Sequence, residues 1–146
     1  MNYKTVLITF PRALSQVQED GLIAEFQDLR DGTLNKLKDF QRVYDNGMFK
    51  HLTGEAGKAI KSMLDLLLDE ARFNSYFLLE KQGDAQYLFL LAYKAFGSFE
   101  FDLKIAKLDY WPKLQNRFVD VVRKKCARVF GMKPDEITFD FGEVER

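Results

Sequence analysis

The stretch SYFLLEKQGDAQYLFLLAYKAFGSFEFDLKIAKL, residues 75–108, decides the fold. It consists of three runs rich in apolar and aromatic residues, separated by two short segments that contain glycine. The second segment, Gly97-Ser98, is typical of a type II′ hairpin turn, because glycine readily takes the positive φ that the first turn position requires. The stretch therefore predicts three consecutive antiparallel strands joined by tight turns.

The Gly97-Ser98 turn sets the register between the second and third of these strands, pairing Leu90 with Ile105 and Leu91 with Lys104. Because side chains alternate across a strand, the register divides the sheet into two faces. The residues of an ordinary core occupy one face: Leu88, Leu90, Ala92, Phe96, Phe99, Phe101, Leu103 and Ile105. The other face, which we call the aromatic face, carries Tyr87, Phe89, Leu91 and Tyr93 beside Glu100, Asp102 and Lys104.

The first turn leaves two registers open. A two-residue loop at 83–84 places Phe77 and Leu79 on the core face and adds Tyr76 and Leu78 to the aromatic face. A three-residue loop at 82–84 flips that strand. Under the first register, the aromatic face carries more apolar surface than a solvated sheet face normally shows.

The composition indicates a folded chain without a dominant charge. Of its 146 residues, 47% are hydrophobic and 14% aromatic, which excludes a disordered chain and suits a single domain over residues 1–146. The 22 basic and 22 acidic residues cancel, so no overall field attracts nucleic acid or a membrane. One cysteine cannot form an internal disulfide, and the sequence has neither a signal-peptide pattern nor an apolar run of about 18 residues. We therefore expect a soluble, cytoplasmic protein.

Further elements are predicted on both sides of this stretch. Ser15 and Gln18 form a capping box at the start of a long helix predicted over residues 16–45, with a break at Gly32 as the alternative. The other predicted elements are a strand at 3–10, a helix at 54–72, a helix that begins after Asp109, and a strand at 137–141. The order is β-α-α-β-β-β-α-β, an α+β fold with a five-stranded, mostly antiparallel sheet. We expect a long helical hairpin on one face and the third helix on the other face or at the edge.

The third predicted helix is locally basic. Residues 113–133 contain seven Lys or Arg and one acid, Asp120, which is a local charge of +6. A basic patch of four residues falls on one stripe of this helix and could follow a phosphate backbone: Lys113, Arg117, Lys124 and Arg128. The acidic residues that follow could screen this patch, by pairing either within the chain or with another molecule.

The sequence carries no recognisable catalytic, cofactor or metal motif. The glycines and lysine at 54–58 lack the spacing of a phosphate loop. His51 lies in a connector and Cys126 on an apolar helix stripe, and one residue of each type cannot supply a usual zinc site. Three carboxylates that could cluster if the last two strands were neighbours are interpreted as solvent-facing: Glu100, Asp102 and Asp140.

The aromatic face is the candidate site. Tyrosine is frequent at interfaces because it combines a large rigid body with a polar tip. The candidate partner- or ligand-binding residues are Tyr76, Tyr87, Phe89, Leu91, Tyr93 and Asp102. Three occupants of this face remain open, namely the chain's own third helix, another protein or a second copy, and a small ligand.

We therefore expect a non-enzymatic protein–protein interaction module that self-associates and uses no cofactor. Inhibitors, immunity-type proteins and small subunits of complexes share this neutral, motif-free profile. The alternative is a small-ligand-binding protein or enzyme with an aromatic pocket between sheet and helix. A nucleic-acid-associated protein that uses the basic third helix is the third hypothesis.

Overall fold

The computed structural model describes residues 2–45, 69–92 and 111–146. The elements in these ranges are β1 (Asn2–Thr9), α1 (Gln16–Asp45), α2 (Glu70–Tyr76), β2 (Phe77–Gly83), β3 (Gln86–Ala92), α3 (Trp111–Lys125) and β4 (Thr138–Glu145). A π-helical turn, Cys126–Phe130, extends α3, and a 3₁₀ turn, Pro134–Glu136, precedes β4. The prediction of a mixed α+β fold with an antiparallel sheet is confirmed. None of the helices in the described ranges is long and apolar enough to span a membrane.

The described sheet has four strands in the order β2-β3-β1-β4, and every pair is antiparallel. Five strands were predicted. The strand predicted at 99–108, its Gly97-Ser98 turn and residues 54–68 of the predicted second helix lie outside the described residues. Of the predicted helical hairpin, the described part contains α1 and the short α2 alone. The prediction of one domain over the whole chain stays a prediction.

Strand β3 has a neighbour along each of its edges. Leu90 pairs with Thr5 on one side and with Leu78 on the other, and Leu91 pairs likewise with Lys4 and Phe77. The predicted pairing of Leu90 and Leu91 with the strand at 99–108 is therefore wrong. A long-range partner, β1, takes the place that the turn pattern assigned to the next strand along the chain.

The β2–β3 register differs from the first of the two predicted registers. Helix α2 continues to Tyr76, so the strand begins at Phe77 rather than at residue 75. Phe77 pairs with Leu91, and the register shifts between Lys81 and Gly83 at an irregularity next to the turn. Phe77 therefore lies on the aromatic face, as the flipped alternative predicted, although the turn residues themselves are 84–85.

The aromatic face is the main core of the described structure. Its buried side chains come from β1, β2 and β3: Val6, Ile8, Phe77, Tyr87, Phe89 and Leu91. Helices α1 and α3 cover this face together, because the Phe89 ring stacks on Phe118 of α3 at 4.5 Å between centroids and meets Phe26 of α1 edge-on at 5.9 Å. The two helices therefore lie on the same side of the sheet, which corrects the predicted placement of the third helix opposite the helical hairpin.

Helix α1 begins at its predicted capping box and continues through Gly32 without a break. The Gln18 amide N–H donates to Ser15 Oγ at 3.2 Å, and the Ser15 N–H donates to Gln18 Oε1 at 2.8 Å. Gly21 lies where α1 approaches the π-helical turn, and a Cβ there would overlap Val129 Cγ1. The close approach at Gly21 brings the start of α1 against the π-helical turn that extends α3.

A bidentate ion pair connects the two outer strands of the described sheet. Both guanidinium nitrogens Nη1 and Nη2 of Arg146, directly after β4, donate to the carboxylate of Glu80 on β2. Hydrogen bonding from Arg146 lowers the pKa of the Glu80 carboxyl from its ordinary value of 4.5. Both side chains are partly exposed, so we regard this pair as a minor contribution to stability.

Candidate protein-interaction surface

The predicted site residues of the aromatic face lie in the interior. Tyr76 is 6% exposed, Tyr87 2%, and Phe89 and Leu91 are fully buried. Tyr93 and Asp102 lie outside the described residues. Packing of the third helix on this face, one of the three occupants considered from sequence, is what the structure contains, with α1 beside it. The four buried side chains therefore act as core residues in this conformation.

Aromatic rings also fill the space that a ligand would need beside Phe89. Phe26, Phe77 and Phe118 surround its ring, with centroid distances between 4.5 and 6.4 Å. Offset and edge-to-face contacts at these distances are the favourable arrangements of aromatic pairs. This cluster stabilises the attachment of both helices to β3.

Tyr87 is the polar exception within this core. Its hydroxyl group is enclosed and has no hydrogen-bond partner among the described residues. Burial raises the pKa of the phenol from its ordinary value of 10.0, and the negative charge of Glu19 nearby raises it further. Glu19 itself accepts from Lys81 Nζ at 3.5 Å. The phenol is therefore held in its neutral form, and the carboxylate beside it is engaged by a lysine.

The basic patch on α3 is exposed but contains an acid. Arg117, Lys124 and Arg128 are exposed, whereas the side chain of Lys113 lies outside the described set. Asp120 is also exposed and lies three and four positions from Arg117 and Lys124, on the same face of the helix. The positive field along this face is therefore interrupted at its centre.

Two other basic residues of α3 contact their neighbours in the fold. Lys125 Nζ lies 3.5 Å from Glu25 Oε1 of α1, and the Arg123 guanidinium lies over the ring of Phe139 at 5.0 Å from its centroid. The first contact connects the two helices, and the second connects α3 to β4. Neither residue belonged to the predicted patch.

The C-terminal end of α3 borders an open groove of about 400 Å³, lined by Arg12, Ala127, Gly131, Met132, Lys133 and Glu136. Gly131 closes the π-helical turn with a φ of 62°, a left-handed conformation that favours glycine. Arg12 Nη2 donates to the Gly131 carbonyl at 2.8 Å, and Gln18 Nε2 donates to the Phe130 carbonyl at 2.5 Å. These two side chains satisfy carbonyl groups at the end of the helix, so the polar groups beside the groove have a structural role.

Strand β4 is the exposed element that the sequence analysis missed. Among the described strands it pairs with β1 alone, and six of its eight residues are exposed. Phe141 is 55% exposed and is one of two large exposed hydrophobic residues in the described part of the chain, the other being Val17 on α1. The alternation of Ile137, Phe139 and Phe141 predicted a strand and did not indicate whether it lies at the edge of the sheet. The available signal of an edge strand consisted of one glycine and three acids: Gly142, Asp140, Glu143 and Glu145.

The side chains of β4 divide between the two faces of the sheet. Phe139, Phe141 and Glu143 share the face of Val6 and Ile8, where the helices lie. Asp140, Gly142 and Val144 project from the opposite face, in register with Leu7, Thr5 and Tyr3. The exposed strand therefore offers an aromatic ring on one face and a bare glycine next to it on the other.

The other candidate residues for metal binding or catalysis form no complete metal-binding group within the described ranges. No group of three His, Cys, Asp or Glu side chains suited to a metal ion occurs in the described ranges. Cys126 is buried, and its thiol donates to the Arg123 carbonyl at 2.7 Å. Asp140 is exposed on β4, whereas His51, Glu100 and Asp102 lie outside the described residues.

No protein family model matches the chain, and the comparisons with curated proteins and with solved structures give no match either.

Proposed function

We propose that this chain is a non-enzymatic protein-interaction module, of the kind found in inhibitors and small subunits, and that β4 is the strand it presents to its partner. The observation that carries the proposal is the exposure of β4 at the edge of the described sheet, including the half-exposed ring of Phe141. This replaces the aromatic face, whose residues are committed to the core, as the contact element.

An edge strand is suited to this task for a physical reason. Half of its backbone N–H and C=O groups point away from the sheet and can pair with an extended segment of another chain. Backbone pairing of this kind supplies affinity, and the alternating side chains supply specificity. Phe141 adds apolar area at the centre of the strand, as aromatic residues do in the core of many interfaces.

A different protein is a better partner for β4 than a second copy. Antiparallel pairing of two β4 strands brings three carboxylates of each copy, Asp140, Glu143 and Glu145, along the same seam. In the symmetric register centred on Glu143, this residue of each copy lies directly opposite its own counterpart, and like charges opposite each other are destabilising. We accordingly propose a hetero-complex, in the cytoplasm, where the single buried Cys126 stays reduced.

Site-specific cross-linking tests this proposal. A photoreactive phenylalanine analogue at position 141 should cross-link one specific protein in native host extract, with the cross-linked peptide lying in an extended segment. The same analogue at position 17, the other exposed hydrophobic position, is the matched control and should not capture that protein. Equal capture from both positions, or none from position 141, would contradict the proposal.

Nucleic-acid association through α3 is the second candidate. Arg117, Lys124 and Arg128 favour it because all three are exposed on one helix face. Asp120 in their midst and the zero net charge of the chain argue against it. Retention on heparin that falls with salt and is lost in a Lys124→Glu/Arg128→Glu variant would support this candidate, whereas retention equal to that of the variant would end it.

A further inference from the structure

We infer that the segment β4 accepts is a basic extended strand in which two cationic residues flank an apolar pair. This inference rests on the proposed function, since it specifies the partner of the same strand. Its basis is the charge of β4 and the order in which its exposed side chains occur.

The charge of β4 has one sign. Residues 138–145, TFDFGEVE, contain three acids and no lysine or arginine. Within the sheet, Asp140 lies opposite Leu7 and Glu145 opposite Asn2, so β1 presents no cation directly across from either of them. Lys4 lies opposite Glu143 on the inner side. A partner strand along the outer edge would therefore meet an acidic seam, and lysine or arginine there would gain the cross-strand attraction that opposite charges have.

The central positions of β4 define what lies between those cations. Phe141 and Gly142 stand between Asp140 and Glu143, and they project to opposite faces of the sheet. A β-branched residue opposite Phe141 would cover its exposed ring, and an aromatic residue opposite Gly142 would cover the bare backbone, an arrangement that stabilises edge glycines. Read from the N-terminus of an antiparallel partner, the pattern is therefore cation, aromatic, β-branched, cation.

The probe is designed for antiparallel pairing, because a parallel partner would need the two central residues in the reverse order. A suitable probe is the blocked peptide Lys-Thr-Lys-Tyr-Val-Lys-Thr-Thr, and its control is the same peptide with glutamate in place of each lysine. Titration of each peptide into the isotope-labelled full chain, followed through backbone amide shifts, reports both affinity and location.

We expect the basic peptide to bind with shifts centred on residues 138–145 and the acidic peptide to bind at least fivefold more weakly. Asp140→Lys should weaken the basic peptide by about two- to fivefold and improve the acidic peptide by a similar factor, the range expected for cross-strand charge pairs. Asp120→Lys, which changes the net charge equally on exposed α3, is the matched control and should leave both affinities unchanged.

Backbone pairing is tested by N-methylation of the basic peptide at alternate residues. Methyl groups on the N–H set that faces β4 should abolish binding, and methyl groups on the other set should not. If both peptides bind equally with this alternation intact, β4 pairs with strands but charge does not select them, and the inference fails while the proposed function stands.

Two further results would also overturn the inference. Binding of the basic peptide with shifts away from residues 138–145 would show that its charge is recognised elsewhere on the chain. Concentration-dependent dimers in light scattering, with peptide binding blocked as they form, would identify a second copy as the occupant. In each case, cross-linking from position 141 tests the proposed function independently of this inference.

Discussion

Strands β3 and β4 both pair with β1 in antiparallel register, yet they are opposite in exposure. Four consecutive residues of β3, Phe89–Ala92, are fully buried, whereas β4 exposes six of its eight residues. Both strands contain phenylalanine: Phe89 lies at the centre of β3, and Phe139 and Phe141 alternate along β4. Their difference arises from their surroundings, since β3 has a strand on each side and two helices above it.

The comparison shows that the helical layer, formed by α1 and α3, is centred on β3. Phe118 of α3 and Phe26 of α1 meet the ring of Phe89 on β3. At β4, the described contact from the helices to an aromatic ring is the cationic end of Arg123 over Phe139. Phe89 on β3 is therefore a core residue, whereas Phe141 on β4 is more than half exposed.

The largest expected difference between the two strands is the cost of removing an aromatic ring. Phe89→Ala should destabilise the chain by about 3–5 kcal/mol, because it leaves a cavity among three packed rings. Phe141→Ala should cost about 1 kcal/mol or less, because its ring is more than half exposed. Urea unfolding of both variants measures the free energies, and equal costs would refute the assignment of Phe141 to the surface.

The second prediction concerns the close contact that holds the helical layer over β3. Gly21→Ala should destabilise by about 1–2 kcal/mol, because the new methyl group overlaps Val129. Gly32→Ala in the same helix has open space at its Cβ and should stabilise by up to about 1 kcal/mol through helix propensity. Thermal unfolding measures both changes. A Gly21→Ala/Val129→Ala variant should recover most of the loss, and a failure to recover would place the strain elsewhere.

Much of this architecture follows from local sequence signals, and the capping box at Ser15 with the helix bounds 16–45 is the clearest case. Local signals describe neighbours along the chain. The partner of Leu90 is instead Thr5, far away in sequence, and turn propensity carries no information about that pairing. The sequence therefore indicates that the aromatic face is unusual, but it does not determine what covers that face.

The exposure of β4 was not predicted, for a related reason. Ile137, Phe139 and Phe141 alternate as a strand with one buried face does, and periodicity alone cannot distinguish the centre of a sheet from its edge. The strand order β2-β3-β1-β4 is what places β4 at an edge of the described sheet. Once β4 is known to lie at an edge, its acidic residues can be interpreted as features of an edge strand.

The smallest expected effect concerns the hydroxyl of Tyr87 on β3. Tyr87→Phe removes a buried hydroxyl group that has no hydrogen-bond partner among the described residues, so stability near neutral pH should be unchanged or higher by about 1 kcal/mol. Because the folded-state pKa is raised above 10.0, the unfolded chain loses this proton first as the pH increases past 10. Wild-type stability should then fall with pH relative to Tyr87→Phe. A constant difference between the two proteins from pH 8 to pH 11 would contradict the burial of this phenol.

The central claim, that in the described sheet β4 is paired along one edge and β3 along both, is tested most directly by amide hydrogen exchange resolved at each residue. In β3, Gln86–Ala92, consecutive amides should all exchange slowly, because strands lie on both sides. In β4, Thr138–Glu145, alternate amides should exchange slowly and rapidly, since among the described strands β1 alone accepts bonds from them. Uniformly slow exchange along β4 in the unbound chain would mean that its edge is already occupied and would contradict the account.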